Sequence, residues 1–325
     1  PSASAPSAAT GSGSASPAAA PVKLTVGLGY IPSVQFAQFY LAQEAGYYRQ
    51  AGLDVQLINK IDPELVTLVG QGAVDLALAD GTSVVPAVSQ GIPIRYVATI
   101  YARFPNVVFA KASSGIRTAA DLKGKKVGTP GKYGSGWIML QALLAGAGLT
   151  TDDIDVVLFP DFSQLGCVER DECAAATGFA NNEPVQLQLA GITPVVLRVD
   201  DVVPLQGNGL ITGTATLAAK EPALRAFIAA TLRAEREIIA DPQKGLEAAI
   251  AAVPELGQNR DQQLAVLQAT VAMWQNPRTA TAGLGAIDRA GWQATIDFLA
   301  RLPGGLVPNP VTVDQLVSDA LLPSP

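Results

Sequence analysis

With 325 residues, 49% of them hydrophobic and only 15% charged, the chain is long enough for two ordinary domains, and its 31 Gly and 23 Pro fit a compact protein with many tight turns. A net charge of -6 without a basic block argues against nucleic acid or an anionic membrane surface as partner, since both need clustered Lys and Arg. The absence of His removes the commonest general base and the commonest metal ligand together, and most hydrolase and zinc-enzyme readings fall with them.

Residues 1–21 are almost wholly Ser, Ala, Gly, Pro and Thr, a composition that cannot bury a core and reads as a flexible tether or an ordinary chain terminus. The chain starts without Met and without a charged, apolar leader, as expected of a processed protein, and no later run of 18 apolar residues occurs. A strand over 24–28 ends in the turn Gly29, Tyr30, Ile31, Pro32, Ser33; a helix over 35–45 and a strand over 54–58 complete a βαβ unit. Ligands of open α/β sheets sit beyond the carboxyl ends of the strands, which places Tyr30 and Pro32 at the mouth of a site. A helix over 63–70, a buried strand over 74–79 and a helix over 84–90 repeat the order. Asp80 and Thr82 then stand at the same edge, with capping of the following helix as an equal reading.

The strand over 94–100 leads through Tyr101, Arg103 and Phe104 into a further strand over 106–110, taken as the first passage between domains. Residues 121–130, DLKGKKVGTP, read as a helix end, a turn and a strand. The Gly-rich GKYGSGW, with Tyr133 and Ser135, then feeds a helix over 136–146 and offers backbone donors at its start. Neither a complete phosphate-binding loop nor a dinucleotide fingerprint is present, so a plain turn into a helix stands beside the ligand reading. After a strand over 155–159, Ser163 starts a short helix that carries Cys167, six residues before Cys173. Too few partners exist for a zinc site and the spacing is not C-x-x-C, which leaves a disulfide, preferred, or two buried thiols. A small-residue strand over 174–178 ends in GFANNEP. Phe179, Asn181, Asn182 and Glu183 there offer an aromatic face with directional donors and acceptors, and an Asx turn capping a helix over 185–190 is the plainer alternative. A strand over 194–198 and a loop over 201–209 cross back. From 219 onward apolar residues recur at helical spacing, in helices expected to pack outside the first domain.

Two stretches, GYIPSVQFAQFY (29–40) and GYYRQAGLDVQL (46–57), resemble the opening of the solute-binding proteins of ABC importers for sulfonates, thiamine pyrimidine precursors and related heterocycles. Tyr30, Pro32, Phe39, Tyr40, Ala42, Gly46, Tyr47, Tyr48, Gly52, Leu53, Asp54 and Val55 fit that pattern; DLKGKKVG and the Glu183–Pro184 step extend the likeness, which covers about 22–322. The resemblance implies an α/β, type II periplasmic-binding-protein fold of two domains, each a mainly parallel sheet flanked by helices, with the ligand in the cleft between them. It implies residues 22–105 with 205–325 as one domain and 106–204 as the other, passages near Phe104 and Val203, and a hinge. It further implies a monomer outside the cytoplasm, anchored through a lipid-modified Cys that this sequence lacks, with a membrane permease as partner and no cofactor.

Tyr30, Tyr101, Tyr133 and Phe179 are the expected stacking faces, with Phe36 and Trp137 assigned to the core. Aromatic faces beside amides and a carboxylate suit a flat heterocycle, whereas a sulfonate or phosphate would draw on Arg103 and Lys132. Asn181, Asn182 and Glu183 with several tyrosines are similar to the riboflavin-binding branch, so riboflavin is the expected ligand, and an aminopyrimidine or a sulfonate are the alternatives. An enzyme like the fungal pyrimidine synthases of this fold would need an active-site His and a Cys-rich iron motif, and the sequence has neither; a sensor domain that binds a solute and signals stays open as a third reading, though no signalling segment is attached.

Overall fold

The computed structural model describes residues 20–201, 205–302 and 304–323, so most of the expected tether and the second passage expected near Val203 lie outside the described residues. In chain order come β1 (Val22–Gly27), a 3-10 turn (Val34–Phe36), α1 (Ala37–Glu44), α2 (Tyr47–Gln50), β2 (Leu53–Ile58), α3 (Asp62–Gly70), β3 (Leu76–Ala79), α4 (Gly81–Ser89) and β4 (Ile94–Thr99). A second run follows with β5 (Asn106–Lys111), β6 (Lys126–Thr129), α5 (Gly134–Gly146), β7 (Asp155–Leu158), α6 (Gln164–Glu169), β8 (Ala175–Phe179), α7 (Glu183–Leu189) and β9 (Pro194–Arg198). The chain returns in β10 (Gly209–Gly213) and continues as α8 (Thr214–Ala240), α9 (Pro242–Ala252), α10 (Arg260–Met273), α11 (Pro277–Ala282), α12 (Arg289–Leu299) and α13 (Val313–Leu316).

The strands form two five-stranded sheets, in the orders β2-β1-β3-β10-β4 and β7-β6-β8-β5-β9. Each is parallel but for one strand: β10 runs against β3 and β4, and β5 against β8 and β9. Both odd strands are the first to follow a passage between sheets. A chain that leaves the carboxyl edge of one sheet enters the other at its carboxyl edge, and so must run against the parallel set. The consequence is that the two carboxyl edges, where ligands of such sheets bind, face each other.

Strand β10 lies between the loop expected to end at 209 and the helices expected from 219, a stretch to which the sequence assigns no element. Its five residues, GLITG, are too short and too Gly-rich to read as a central strand, yet all five are buried. The close approach is the reason for the glycines: a Cβ at Gly209 would run into the Tyr96 ring and the Ala98 carbonyl, and one at Gly213 would lie 2.7 Å from the Val69 carbonyl oxygen. Helices α4, α5, α7 and α8 also begin earlier than their apolar periodicity indicates, because the first turn of a helix needs a cap or a strand end and not an apolar stripe.

Packing explains the motif of paired tyrosines. Tyr48 is 2% exposed, stacks on Phe227 of α8 at 4.9 Å and shares a hydrogen bond of 2.9 Å with Thr231. Tyr47 donates to Glu237 at 2.6 Å while the Arg233 guanidinium lies 3.8 Å over its ring. The most recognisable stretch of the sequence thus clamps α8 to the first sheet and stands away from the cleft. Phe39, Leu224 and Trp274 fill the same face, and Leu65, Val69, Trp292 and Leu316 cover the other. In the second sheet Met139, Leu140 and Leu144 of α5 pack on Val108 and Val127, and Val168 and Leu187 pack on Phe109 and Ala176. Among the described residues no helix is long and apolar enough to cross a membrane.

Cys167 of α6 and Cys173, just before β8, are joined by a disulfide with their Cα atoms 5.2 Å apart, and both are 3% exposed. A thiol assay on denatured, unreduced protein is expected to find none free. Replacing the pair by Ser is expected to cost about 2 kcal/mol, the loop-closure entropy of so short a ring, read as a lower urea midpoint.

Candidate ligand cleft

Between the facing sheet edges lies a cavity that encloses about 1020 Å³, part of it open to solvent. The first lobe contributes the residues after β1 with Gly29 and Tyr30, the 3-10 turn with Gln35 and Phe36, Tyr101 from the passage that leaves after β4, and Asn208 from the segment that returns before β10. The second contributes Asn106 at the start of β5, Tyr133 to Trp137 at the start of α5, Phe162 and Gln164 around the start of α6, and Thr177 to Phe179 with Asn182 and Glu183 after β8. Tyr30 and Phe162 meet edge to face across it, 5.0 Å apart. Phe162 adopts φ +62°, a left-handed conformation that a bulky residue takes only where its surroundings hold it, and the ring is thereby turned into the cleft.

Of the expected site residues, Tyr30, Tyr101, Tyr133, Ser135, Phe179, Asn182 and Glu183 line this cavity, while Pro32, Asp80, Thr82, Phe104 and Asn181 stand outside its lining. Pro32 is exposed in the turn. Asp80 is the cap of α4: its Oδ1 accepts from the Thr82 backbone N–H at 2.8 Å and from the Thr82 hydroxyl at 2.6 Å, both residues fully buried. Burial pushes the Asp80 carboxyl up, and the Thr82 hydrogen bonds oppose the rise. Phe104 is fully buried in the core of the second lobe, because the passage tucks its ring under β5 rather than toward the ligand. Asn181 reaches across to the first lobe, where its Nδ2 donates to Gln35 Oε1 at 2.9 Å and to Thr270 Oγ1 at 2.8 Å, so it ties the lobes together. Asn182 does not cap α7 through its side chain; its Oδ1 accepts from Gln186 at 2.8 Å.

Phe36 and Trp137, assigned to the core from the sequence, line the cavity, and Phe36 is at once 5% exposed and part of the first core. Gln35, Asn106, Phe162 and Gln164 were missed. A signal existed for Gln164, an amide at the first position of a helix that opens beyond the carboxyl end of β7. None existed for Asn106, whose place at the cleft depends on the antiparallel entry of β5.

Glu183 is the one ionisable carboxyl or cation in the lining among the described residues. Its Oε2 accepts from the Phe179 backbone N–H at 2.8 Å and its Oε1 from Gln164 Nε2 at 3.3 Å. Burial pushes its carboxyl up to about 7, against the pull of the Phe179 and Glu183 backbone N–H groups. Gly178 makes this burial possible, since a Cβ there would lie 2.6 Å from Glu183 Oε2 and 2.9 Å from the Phe109 ring. Burial, helped by the Glu183 charge, also raises the Tyr30 hydroxyl, so it stays protonated and free to donate. Arg103 pairs with Asp200 at 3.4 Å and Lys132 sits 5.8 Å over Trp137, and neither enters the lining. The cleft thus offers aromatic faces, amides, hydroxyls and one carboxyl held near neutrality.

Known proteins place the chain. It is 34% identical over 322 residues, 95% of this chain and 91% of the relative, to the riboflavin-binding protein RibY of Chloroflexus aurantiacus. A 4-amino-5-hydroxymethyl-2-methylpyrimidine phosphate synthase of Legionella pneumophila is 28% identical over 242 residues, 72% of this chain and 75% of that one. A solved ligand-binding component of an ABC-type import system from Staphylococcus aureus superposes with a TM-score of 0.68 at 15% identity, covering 92% of this chain and 97% of that one, so the two share the periplasmic-binding-protein fold. The family described as NMT1/THI5 like matches residues 33–245. On that match and on the near full-length relative, the chain belongs to the NMT1/THI5-like family.

Proposed function

We propose that the protein is the solute-binding component of an ABC importer, working outside the cytoplasm as a monomer, and that it captures riboflavin between its lobes for delivery to a membrane permease. The observation that carries this reading is the lining of the cleft: tyrosine, phenylalanine and tryptophan rings beside amides and a single buried carboxyl, with no Lys or Arg among the described lining residues. Such a lining favours a flat, uncharged, hydrogen-bonding ring. The relative of Chloroflexus aurantiacus, named for riboflavin binding, supports the same choice, and the disulfide fits an oxidising compartment. A sulfonate lacks a cation to meet it here, and a pyrimidine synthase lacks a His to work with. We further propose that residues 22–105 with 205–325 and residues 106–204 move as two bodies about the passages, closing on the ligand.

Parallel titrations with riboflavin, an aminopyrimidine and an alkanesulfonate test the ligand. Riboflavin is expected to bind with its fluorescence quenched by the tyrosines, and to bind little less tightly at high salt; an affinity for it weaker than about millimolar would sink the proposal. Small-angle scattering is expected to record a smaller radius at saturation.

A further inference from the structure

Three side-chain polar atoms of the cleft lining have no partner among the described residues: Asn208 Oδ1 on the first lobe and, together in the wall of the second, one atom each of Gln164 and Asn106. Gln164, 1% exposed, donates from Nε2 to the Thr177 carbonyl at 3.2 Å and to Glu183 Oε1 at 3.3 Å. Those two acceptors fix the amide, and its Oε1 is left as a buried acceptor without a donor. Asn106, 3% exposed, has its Nδ2 left as a buried donor without an acceptor. The two are close in the fold. Asn106 is paired with Phe179 across β5 and β8, and Thr177, which holds Gln164, lies on the same strand. Gly136 at the start of α5 packs against both places, since a Cβ there would be 3.5 Å from Asn106 Oδ1 and 3.8 Å from Thr177 Oγ1. Buried polar groups in folded proteins are almost always satisfied, so an orphan acceptor and an orphan donor in one cavity wall mark where something else completes them.

We infer that Gln164 Oε1 and Asn106 Nδ2, beside the Glu183 carboxyl, read the hydrogen-bonding edge of the bound ring, and that the ligand must bring an N–H donor next to an acceptor to that wall. The inference rests on the reading of the cleft as a heterocycle site and narrows it. A cyclic imide, as in the isoalloxazine of riboflavin, presents carbonyl, N–H and carbonyl in a row; the N–H meets Gln164 Oε1 or the carboxyl, and a carbonyl meets Asn106 Nδ2. An aminopyrimidine presents an amino group beside a ring nitrogen and meets the same demand. An alkanesulfonate presents acceptors alone, which would face the Gln164 oxygen and the carboxyl with like polarity. Gln164 and Asn106 are thus specificity-determining residues. They select by requiring a donor, and an analogue that cannot supply one leaves the Gln164 oxygen unpaired in a dry site.

The test is calorimetric titration of the full chain with riboflavin and with riboflavin methylated on its imide nitrogen, with an aminopyrimidine and its dimethylamino counterpart, and with butanesulfonate. Methylation is expected to weaken binding between about 10- and 100-fold, the worth of one buried hydrogen-bonding group, and Gln164→Met is expected to shrink that ratio toward one. Equal binding of riboflavin and its methylated form would overturn the edge inference and leave the proposed function standing. Binding of the aminopyrimidine alone, lost on dimethylation, would overturn the riboflavin proposal and support the edge inference. Preference for butanesulfonate, or no binding of any ring, would overturn both. The methylated ligands need only the unsubstituted protein, so the outcome does not depend on the variant folding.

Discussion

At pH 9, Glu183→Gln is expected to be about 3 kcal/mol more stable to urea than the unsubstituted protein, while at pH 4 the two are expected to differ little. The reason lies in the burial of the carboxyl, 7% exposed against Gly178. The folded chain holds the proton up to about 7, above the ordinary 4.5 of the unfolded chain. Stability from this group is therefore fully present below 4.5 and is lost as the pH rises to about 7, after which the deficit is constant. A glutamine keeps an oxygen for the Phe179 N–H and carries no charge to desolvate. Identical urea midpoints at pH 9 would show that burial does not raise the carboxyl above its ordinary range. Near pH 7 the unsubstituted site divides between a form that accepts and one that donates, so its affinity for a ring imide is expected to change through the same range.

Phe109→Ala is expected to cost about 3–5 kcal/mol, the usual loss when a buried phenylalanine is cut back in a core that cannot collapse. Phe109 is fully buried in β5, the strand held between β8 and β9, and packs with Val168, Leu187 and the disulfide. Its ring also lies against Gly178, directly under the carboxyl of Glu183. The loss should appear as a lower urea midpoint at unchanged slope. Riboflavin affinity is expected to fall with it, because the floor that positions Glu183 has gone. A loss below about 1 kcal/mol would mean that the site repacks and that Glu183 does not depend on the Phe109 ring beneath it.

The parallel strands and the helices that follow them were legible because period and turn chemistry repeat along the chain, and Tyr30, Tyr133, Phe179 and Glu183 could be placed near the cleft from that repetition alone. What escaped was set by topology. Asn106 and β10 owe their positions to strands that enter against the rest of the sheet, a direction that no local pattern encodes. Phe104 and Phe36 exchanged their expected places for a related reason: which side of a passage or turn faces the ligand depends on what packs behind it, the core under β5 in one case and the first core in the other. Asp80 and Asn181 carry the residue types of a binding site and spend them on holding structure, one within its own helix turn and one between lobes.

The position of β10 between β3 and β4 also sets an order of assembly. As the chain emerges during synthesis, β4 has no partner strand in its sheet until Gly209 to Gly213 have appeared, whereas every strand of the second sheet is contiguous between 106 and 198. The later-starting lobe therefore completes first, and the earlier one waits as an open-edged, three-stranded intermediate exposed to mispairing. Pulse-labelled hydrogen exchange during refolding is expected to protect Val108 and Ala176 ahead of Val97 and Ile211.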